Sequence, residues 1–210
     1  MKRGLTRVEV MVLLVLAVIV VALILPILAT ARNSASRAGC ANTLNAIGKA
    51  FFMYADVPSN NNLFPTQGPT GKPFDDTAPM LALSLLYKGY IADARVFQCP
   101  SDPRPKTATD LTDSTGQRIQ PGGNYLSAAS CSYGYDPGRS NKDDDATSAI
   151  AADRKGTGKN SDNHGSDAGQ NVLFAGGAVE FREAPQVGSD PNIYSLNPEL
   201  PRKDDSYIRQ

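Results

Sequence analysis

A single histidine, three cysteines and several aspartates are the residues of this chain best suited to chemistry. His164 is the only histidine, so a zinc site built from several histidines is excluded, and a Ser-His-Asp triad would depend on this one side chain. The chain also lacks the Gly-x-Ser-x-Gly sequence that surrounds the nucleophile of many hydrolases. A single loop histidine more often serves the fold than catalysis. We therefore interpret His164 as a structural residue that hydrogen-bonds the backbone near residues 161–163.

Aspartates in the C-terminal half supply the oxygen ligands that calcium prefers. The candidate calcium ligands are Asp143, Asp144, Asp145, Asp162 and Asp167. Their spacing matches no EF-hand, and a solvated acidic loop without an ion explains the same residues. We therefore expect a solvated acidic loop and no cofactor, with calcium as the alternative.

The three cysteines have no C-x-x-C spacing, which argues against zinc ribbons and thioredoxin-like redox chemistry. Cys99 and Cys131 both belong to the globular part, where a disulfide between them would contribute about 3 to 4 kcal/mol. In this interpretation Cys40 keeps a free thiol. Three buried thiols without a bridge are the alternative, because sequence does not place Cα atoms within bridging distance.

An acidic residue precedes a long apolar segment near the N-terminus. The segment 10–29 contains 20 residues and no polar side chain, so as a helix it reaches about 30 Å, the thickness of a bilayer core. Glu9 lies at its start, and a carboxylate inside a membrane costs up to about 2.5 to 3.5 kcal/mol at mid-bilayer. The basic residues Lys2, Arg3 and Arg7 predict a cytoplasmic N-terminus and a C-terminal body outside the cytoplasm.

Two simpler interpretations of this segment remain open. It is a secretory signal peptide if the small residues of Ala29-Thr30-Ala31 are a cleavage site, although signal peptides usually have apolar regions of about 7 to 15 residues. It is a plain single-pass anchor if the chain is not cleaved. Neither interpretation needs the carboxylate of Glu9.

Composition limits the rest of the molecule. The chain has 210 residues, and its 21 Lys and Arg offset its 21 Asp and Glu, so the basic excess needed for nucleic-acid binding is missing. The absence of Trp, with 18 Gly and 15 Pro, indicates short strands and many turns, and excludes a large all-helical body.

An apolar stripe predicts that the N-terminal helix continues into the body. The stripe recurs at helical spacing in Cys40, Leu44, Ile47, Phe51 and Tyr54. We expect it to pack on a sheet of the same chain, and we expect Pro58 with the asparagines at 60–62 to end the helix.

Short elements follow this helix. A second helix is predicted between Thr77, as its N-cap, and Gly89, and brief strands are predicted within 94–102, 131–136 and 148–153. A hairpin is predicted with strands at 171–175 and 178–181 and a two-residue turn, Gly176-Gly177. Beyond Glu183 the proline-rich chain predicts an extended tail that covers the surface or is partly disordered.

The N-terminal sequence Gly4-Leu5-Thr6-Arg7-Val8-Glu9-Val10 resembles the cleavage and methylation motif of type IV prepilins and type II secretion pseudopilins. The resemblance implies that a prepilin peptidase cuts between Gly4 and Leu5 and methylates the new N-terminus at Leu5. Glu9 then becomes the fifth mature residue, which in this family guides assembly. Pro26 lies where family members often carry a helix-kinking proline, and Arg7 stands where they usually have an apolar residue.

The resemblance extends over most of the chain. Residues 40–56, CANTLNAIGKAFFMYAD, and residues 97–102, FQCPSD, are similar to stretches of a large prepilin-like family. Residues 163–181, NHGSDAGQNVLFAGGAVEF, resemble its C-terminal signature, a histidine followed by Asp-Gly in a hairpin, except that Gly176 replaces the aspartate. Major pseudopilins of the secretion family hold calcium in C-terminal loops.

The fold that this resemblance implies is α+β and pilin-like. A long N-terminal helix, membrane-embedded in its first half, packs on a small antiparallel sheet followed by a loop-rich C-terminal region. The expected parts are a leader at 1–4, a transmembrane and assembly helix at 5–31, an amphipathic continuation at 32–56, a globular domain at 57–183 and an extended tail at 184–210.

The implied function is that of a structural subunit, not an enzyme, in a type IV pilus-like or type II secretion pseudopilus filament. The implied partners are other copies or related subunits, the prepilin peptidase and the inner-membrane assembly platform, with no nucleic acid. The expected location is the inner membrane with the body outside the cytoplasm, and a periplasmic or cell-surface filament after assembly. A non-polymerising anchored binding module and a secreted hydrolase released after Ala31 are the alternatives.

Overall fold

The computed structural model describes residues 7–66, 79–87, 89–104, 126, 130–137, 139–142, 144–165, 167–197 and 206–210. The chain divides into two compact units, Met1–Ser36 and Arg37–Gln210. Its class is α+β, with a long N-terminal helix and a four-stranded antiparallel sheet, as the sequence predicts.

Helix α1 spans Arg7–Ala55, 49 residues, and supplies the described part of the first unit. In that unit its large apolar side chains are exposed, and among the described residues it is the helix long and apolar enough to cross a membrane. A membrane anchor and a signal sequence both fit this finding. The helix continues through Pro26, so the proline does not end it, and the predicted bend there stays a prediction.

The part of α1 in the second unit is amphipathic. Its inward stripe of Cys40, Leu44, Ile47 and Phe51 is fully buried. The Phe51 ring stacks on Tyr135, with 4.9 Å between ring centroids. The predicted apolar stripe and its packing on the sheet are therefore confirmed.

Four strands form the sheet: β1 at Tyr133–Tyr135, β2 at Ala149–Asp153, β3 at Gln170–Phe174 and β4 at Val179–Arg182. They pair antiparallel in the order β1-β2-β3-β4. Every residue of β2 and β3 is buried, because apolar clusters cover both faces of the two central strands.

The predicted hairpin forms between β3 and β4, but its turn has three residues instead of two. Phe174 N–H donates to the carbonyl of Ala178, and Gly177 N–H donates back to the carbonyl of Phe174. Gly177 has a φ of +86°, the left-handed conformation that three-residue hairpin loops require at their last position. Glycine at 177 supplies that conformation at little steric cost.

Helix α2 is shorter than predicted, spanning Pro79–Ser84. Thr77, its predicted N-cap, lies outside the described residues. After Ser84 the hydrogen bonds tighten to three-residue spacing, as in the bond from Leu86 N–H to the Leu83 carbonyl. Leu83 and Leu86 are fully buried, so this short element belongs to the core.

The strand predicted within 94–102 is wrong: Ala94–Phe97 forms a 3₁₀ turn. The Asp93 carboxylate accepts the backbone N–H of Arg95 and so caps the turn. Propensity for β structure in Val96 and Phe97 is overridden by this local hydrogen bond.

The C-terminal segment packs on the sheet face opposite α1. Val187, Ile193, Tyr194 and Ile208 are buried there with Ala149, Ala152, Val172 and Phe174. Arg209 also pairs in antiparallel fashion with Tyr135 at the outer edge of β1. The described part of the predicted tail, 184–197 and 206–210, therefore contributes to a second apolar core as well as covering the surface.

Candidate functional site

The first candidate surface is the apolar part of α1 in the first unit. Glu9 lies in the first described turn of this helix and is exposed. Gly4 and Leu5, the predicted scission and methylation residues, lie outside the described residues. The roles of these three residues stay predictions.

A disulfide joins Cys40 to Cys99, so the predicted Cys99–Cys131 bridge and the predicted free thiol at Cys40 are wrong. Cys40 begins the stripe that α1 presents to the core, and Cys99 follows the 3₁₀ turn. Their Cα atoms are 5.0 Å apart, within the usual range for a disulfide. Cys131 is buried and not disulfide-bonded, and its Sγ accepts the backbone N–H of Tyr133 at 3.4 Å.

A buried pair of titratable side chains lies beside this disulfide. His164 Nε2 is 2.9 Å from Asp153 Oδ2, and the two side chains are 2% and 0% exposed. Asp153 Oδ2 also accepts the backbone N–H of Asn171 at 2.7 Å and its side-chain amide at 3.1 Å. The amide of Asn163 donates to Asp153 Oδ1 at 3.1 Å. Hydrogen bonds therefore surround the carboxylate, as a buried charge requires.

Two strands and one loop position these groups. Asp153 is the last residue of β2, and Asn171 lies on the neighbouring strand β3. Asn163 and His164 belong to the loop that joins the two strands, and Asn163 fixes this loop by donating from its amide to the carbonyl of Ser132 at 2.9 Å. The loop thus folds back over the strand ends and delivers His164 to Asp153.

The structural role of His164 stays a prediction, and its predicted partners were wrong. His164 contacts the side chains of Asp153 and Asn171, at 2.9 and 3.0 Å, instead of the backbone near residues 161–163. A polar residue ending an apolar strand, as Asp153 does, was the available signal. The sequence did not indicate which loop residue would face it.

The negative charge of Asp153 also affects nearby tyrosines. Burial, followed by the repulsion from Asp153, raises the pKa of Tyr133 well above its usual range. Burial and then Asp153 likewise raise the pKa of Tyr194, whose hydroxyl donates to the Asp153 carbonyl at 2.7 Å. Both phenols therefore remain protonated at neutral pH, and that of Tyr194 acts as a hydrogen-bond donor.

Cys40, Cys99, Asp153 and His164 form one compact group of potential metal ligands. One donor atom from each residue lies within 4.8 Å of the other three. Within the described ranges this is the one group of three or more Cys, His, Asp or Glu side chains arranged in this way. The sequence analysis did not bring these four residues together, because they come from α1, a loop, β2 and another loop.

The predicted calcium ligands are engaged in local hydrogen bonds. Asp144 accepts from Arg139 Nη1 at 2.9 Å and from the backbone of Ser140 at 2.6 Å, and Asp145 accepts the backbone N–H of Thr147 at 3.0 Å. Burial disfavours the Arg139 charge, but attraction to Asp136 and Asp144 outweighs it and raises the Arg139 pKa. This part of the acidic sequence stabilises the loop before β2.

The other two acidic candidates stabilise the loop that carries His164. Asp162 accepts the backbone N–H of Thr157 at 2.9 Å, and Asp167 accepts that of Asn160 at 3.0 Å. Asp143 lies outside the described residues. Calcium binding at these five aspartates stays a prediction.

No family model, no curated protein and no solved structure matches the chain.

Proposed function

We propose that this chain is a structural subunit of a type IV pilus-like or type II secretion pseudopilus filament. A prepilin peptidase processes it, and it assembles through α1. The observation that carries the proposal is the exposed apolar surface of α1 over residues 10–29.

Apolar side chains lie on every side of this part of α1. Met11, Leu14 and Leu16 point in three different directions at about 100° per residue, and they are 71, 62 and 53% exposed. The most apolar 18-residue window has no buried residue. A helix that is apolar on every side requires lipid or other apolar helices around it. The same segment can therefore anchor the newly made subunit and later form the core of a filament.

Glu9 would set the axial register between neighbouring helices in the filament. Scission after Gly4 would create an amino group at Leu5, four residues before Glu9 in the sequence. At an effective dielectric constant of about 20, unit charges 4 Å apart attract by about 4 kcal/mol. If the amino group of one copy meets the Glu9 carboxylate of its neighbour, apolar helices that could otherwise slide acquire a defined axial register.

The other partners follow from this role. The subunit would sit in the inner membrane with its second unit outside the cytoplasm, where an assembly platform extracts it into the filament. The Cys40–Cys99 disulfide suits an oxidising compartment. The role is mechanical, without catalysis or nucleic-acid binding.

The mature N-terminus tests the proposal. Intact mass and N-terminal peptide mapping of the chain from its native host should show methylated Leu5. A terminus at Arg32 would instead indicate signal-peptide cleavage and a released protein, and an uncut Met1 would indicate a simple anchor. Gly4→Val should block processing, while Gly39→Ala, changed far from the scission site, should be processed normally.

A further inference from the structure

We propose that reduction of the Cys40–Cys99 disulfide creates a four-coordinate site for zinc, with the two thiolates, His164 and Asp153 as ligands. This inference does not depend on filament assembly, because all four residues belong to the second unit.

The ligand types match the chemistry of zinc. Zinc accepts thiolate, imidazole and carboxylate ligands in tetrahedral sites, at about 2.3 Å to sulfur and about 2.0 to 2.2 Å to nitrogen or oxygen. Such bond lengths place neighbouring ligand atoms about 3.3 to 3.8 Å apart. The four donors already lie within 4.8 Å of one another, and the His164–Asp153 contact is 2.9 Å. Small side-chain movements, together with separation of the two sulfurs, would complete the site.

The hydrogen bonding of His164 provides a second observation. Its Nε2 lies between an acceptor, Asp153 Oδ2, and a donor, the Asn171 amide, so a neutral Nε2 can satisfy one of them. Zinc bound at Nε2 would replace these two competing contacts with one strong bond.

Polar groups also surround the carboxylate in the manner of an outer ligand shell. The amides of Asn163 and Asn171 both donate to Asp153. Among the described residues, Asp153 Oδ1 accepts one hydrogen bond, from Asn163, which leaves a lone pair for a metal. Outer-shell hydrogen bonds of this kind hold ligating carboxylates in position. A disulfide in an apolar core needs none of these groups.

A phosphine can reduce the Cys40–Cys99 disulfide to two thiols. The phosphine gives two electrons to the S–S bond and takes oxygen from water to become a phosphine oxide, while the two protons of that water reach the sulfurs. Zinc then displaces both thiol protons and forms two Zn–S bonds. With neutral His164 and ionised Asp153, the occupied site carries one net negative charge. Cys40 and Cys99 are linked by the S–S bond in the oxidised chain, and would be linked through the zinc ion in the reduced, zinc-bound chain.

Cobalt and zinc titrations of the full chain in detergent test the proposal. The phosphine-reduced chain should bind one Co²⁺ with the visible bands of tetrahedral cobalt and a near-ultraviolet thiolate-to-cobalt band, and Zn²⁺ should displace it. The oxidised chain should show neither band. Equal binding by the two forms, or no tetrahedral cobalt spectrum in the reduced form, would overturn the proposal.

The ligand set is measured on the unaltered chain, because Asp153 and His164 are buried and their variants could fold poorly. X-ray absorption of the zinc-loaded reduced chain should show two sulfurs at about 2.3 Å and two nitrogen or oxygen ligands at about 2.0 to 2.2 Å. Sulfur ligands alone, or no sulfur, would refute the assignment.

Matched variants complete the test. His164→Asn and Asp153→Asn should each weaken cobalt binding at least tenfold while the thiolate band persists at saturation. Cys131→Ser keeps all four proposed ligands and should bind cobalt as the unaltered chain does. Loss of binding in Cys131→Ser would contradict the ligand set.

Discussion

At the scale of single residues, the Cys40–Cys99 disulfide links α1 to the residue two positions after the 3₁₀ turn Ala94–Phe97. The sequence predicts Cys40 on the buried stripe of α1, but its interpretation leaves that thiol free and pairs Cys99 with Cys131. Bridging depends on Cα separation, and the 5.0 Å between Cys40 and Cys99 arises only when the 3₁₀ turn packs against the helix.

Replacing both bridged cysteines, Cys40→Ser with Cys99→Ser, should lower the free energy of unfolding of the second unit by about 4 kcal/mol. This is the expected loop-closure contribution for a bridge that spans 59 residues. Urea unfolding of the full chain in detergent, followed by tyrosine fluorescence, measures the change. The tyrosines all lie in the second unit, and the chain has no Trp.

Cys131→Ser is the matched control, since it removes a buried thiol and keeps the bridge. It should change the free energy of unfolding far less than the double variant. Two results together would contradict the Cys40–Cys99 pairing. Cys131→Ser would lower the free energy of unfolding as much as the double variant does, and a disulfide-linked Cys99–Cys131 peptide would be found under non-reducing conditions.

At the scale of elements, periodicity predicted the structure well wherever a buried face was wide enough to leave a pattern. The apolar stripe of α1 carries such a pattern. The strands around Tyr133, Ile150 and Val172 are buried at every residue, so they were recognisable as short runs beside turn residues instead. The prediction was wrong for residues 94–97, where the carboxylate of Asp93 caps a turn. A single side-chain hydrogen bond determines that segment, and hydrophobic pattern does not report it.

Alanine substitutions at two glycines of α1 distinguish the effect of helix propensity on stability from the effect of side-chain packing. At Gly39 an added Cβ would meet Pro100 Cγ at 3.5 Å, an ordinary contact, so Gly39→Ala should stabilise the second unit by about 0.5 to 1 kcal/mol. At Gly48 the added Cβ would lie 2.8 Å from Cδ1 of the fully buried Leu173. Gly48→Ala should therefore be less stable than Gly39→Ala by about 1 to 3 kcal/mol.

Urea unfolding measures the free energy of unfolding of both glycine variants. Each variant is the control for the other, because replacing a helical glycine by alanine gives both the same gain in helix propensity. Equal stabilisation by the two alanines would show that α1 does not pack closely on β3 at Gly48.

At the scale of the whole molecule, the two units differ in how much of them the sequence reveals. The first unit was predicted as a membrane-length apolar helix, because its composition alone fixes that property. The second apolar core, beneath Ile193 and Ile208, was not predicted. Four of its members come from β2 and β3, and the other four lie along a proline-rich segment without periodicity, so only tertiary contacts bring them together.

The sequence also did not predict the buried polar cluster, because only tertiary contacts bring its residues together. Asp153, His164 and Asn171 belong to two strands and the loop between them, and their types are common in loops. A local pattern identifies a strand end, but it does not show which loop residue closes over it.

Filament formation by Glu9 variants tests the central claim most directly. In the native host, Glu9→Ala and the nearly isosteric Glu9→Gln should leave the subunit in the membrane fraction, because the apolar segment is intact, but should reduce sheared filaments at least tenfold. Glu9→Asp keeps the charge and should retain more filaments than either. Undiminished filaments from Glu9→Ala would contradict the proposed assembly through α1.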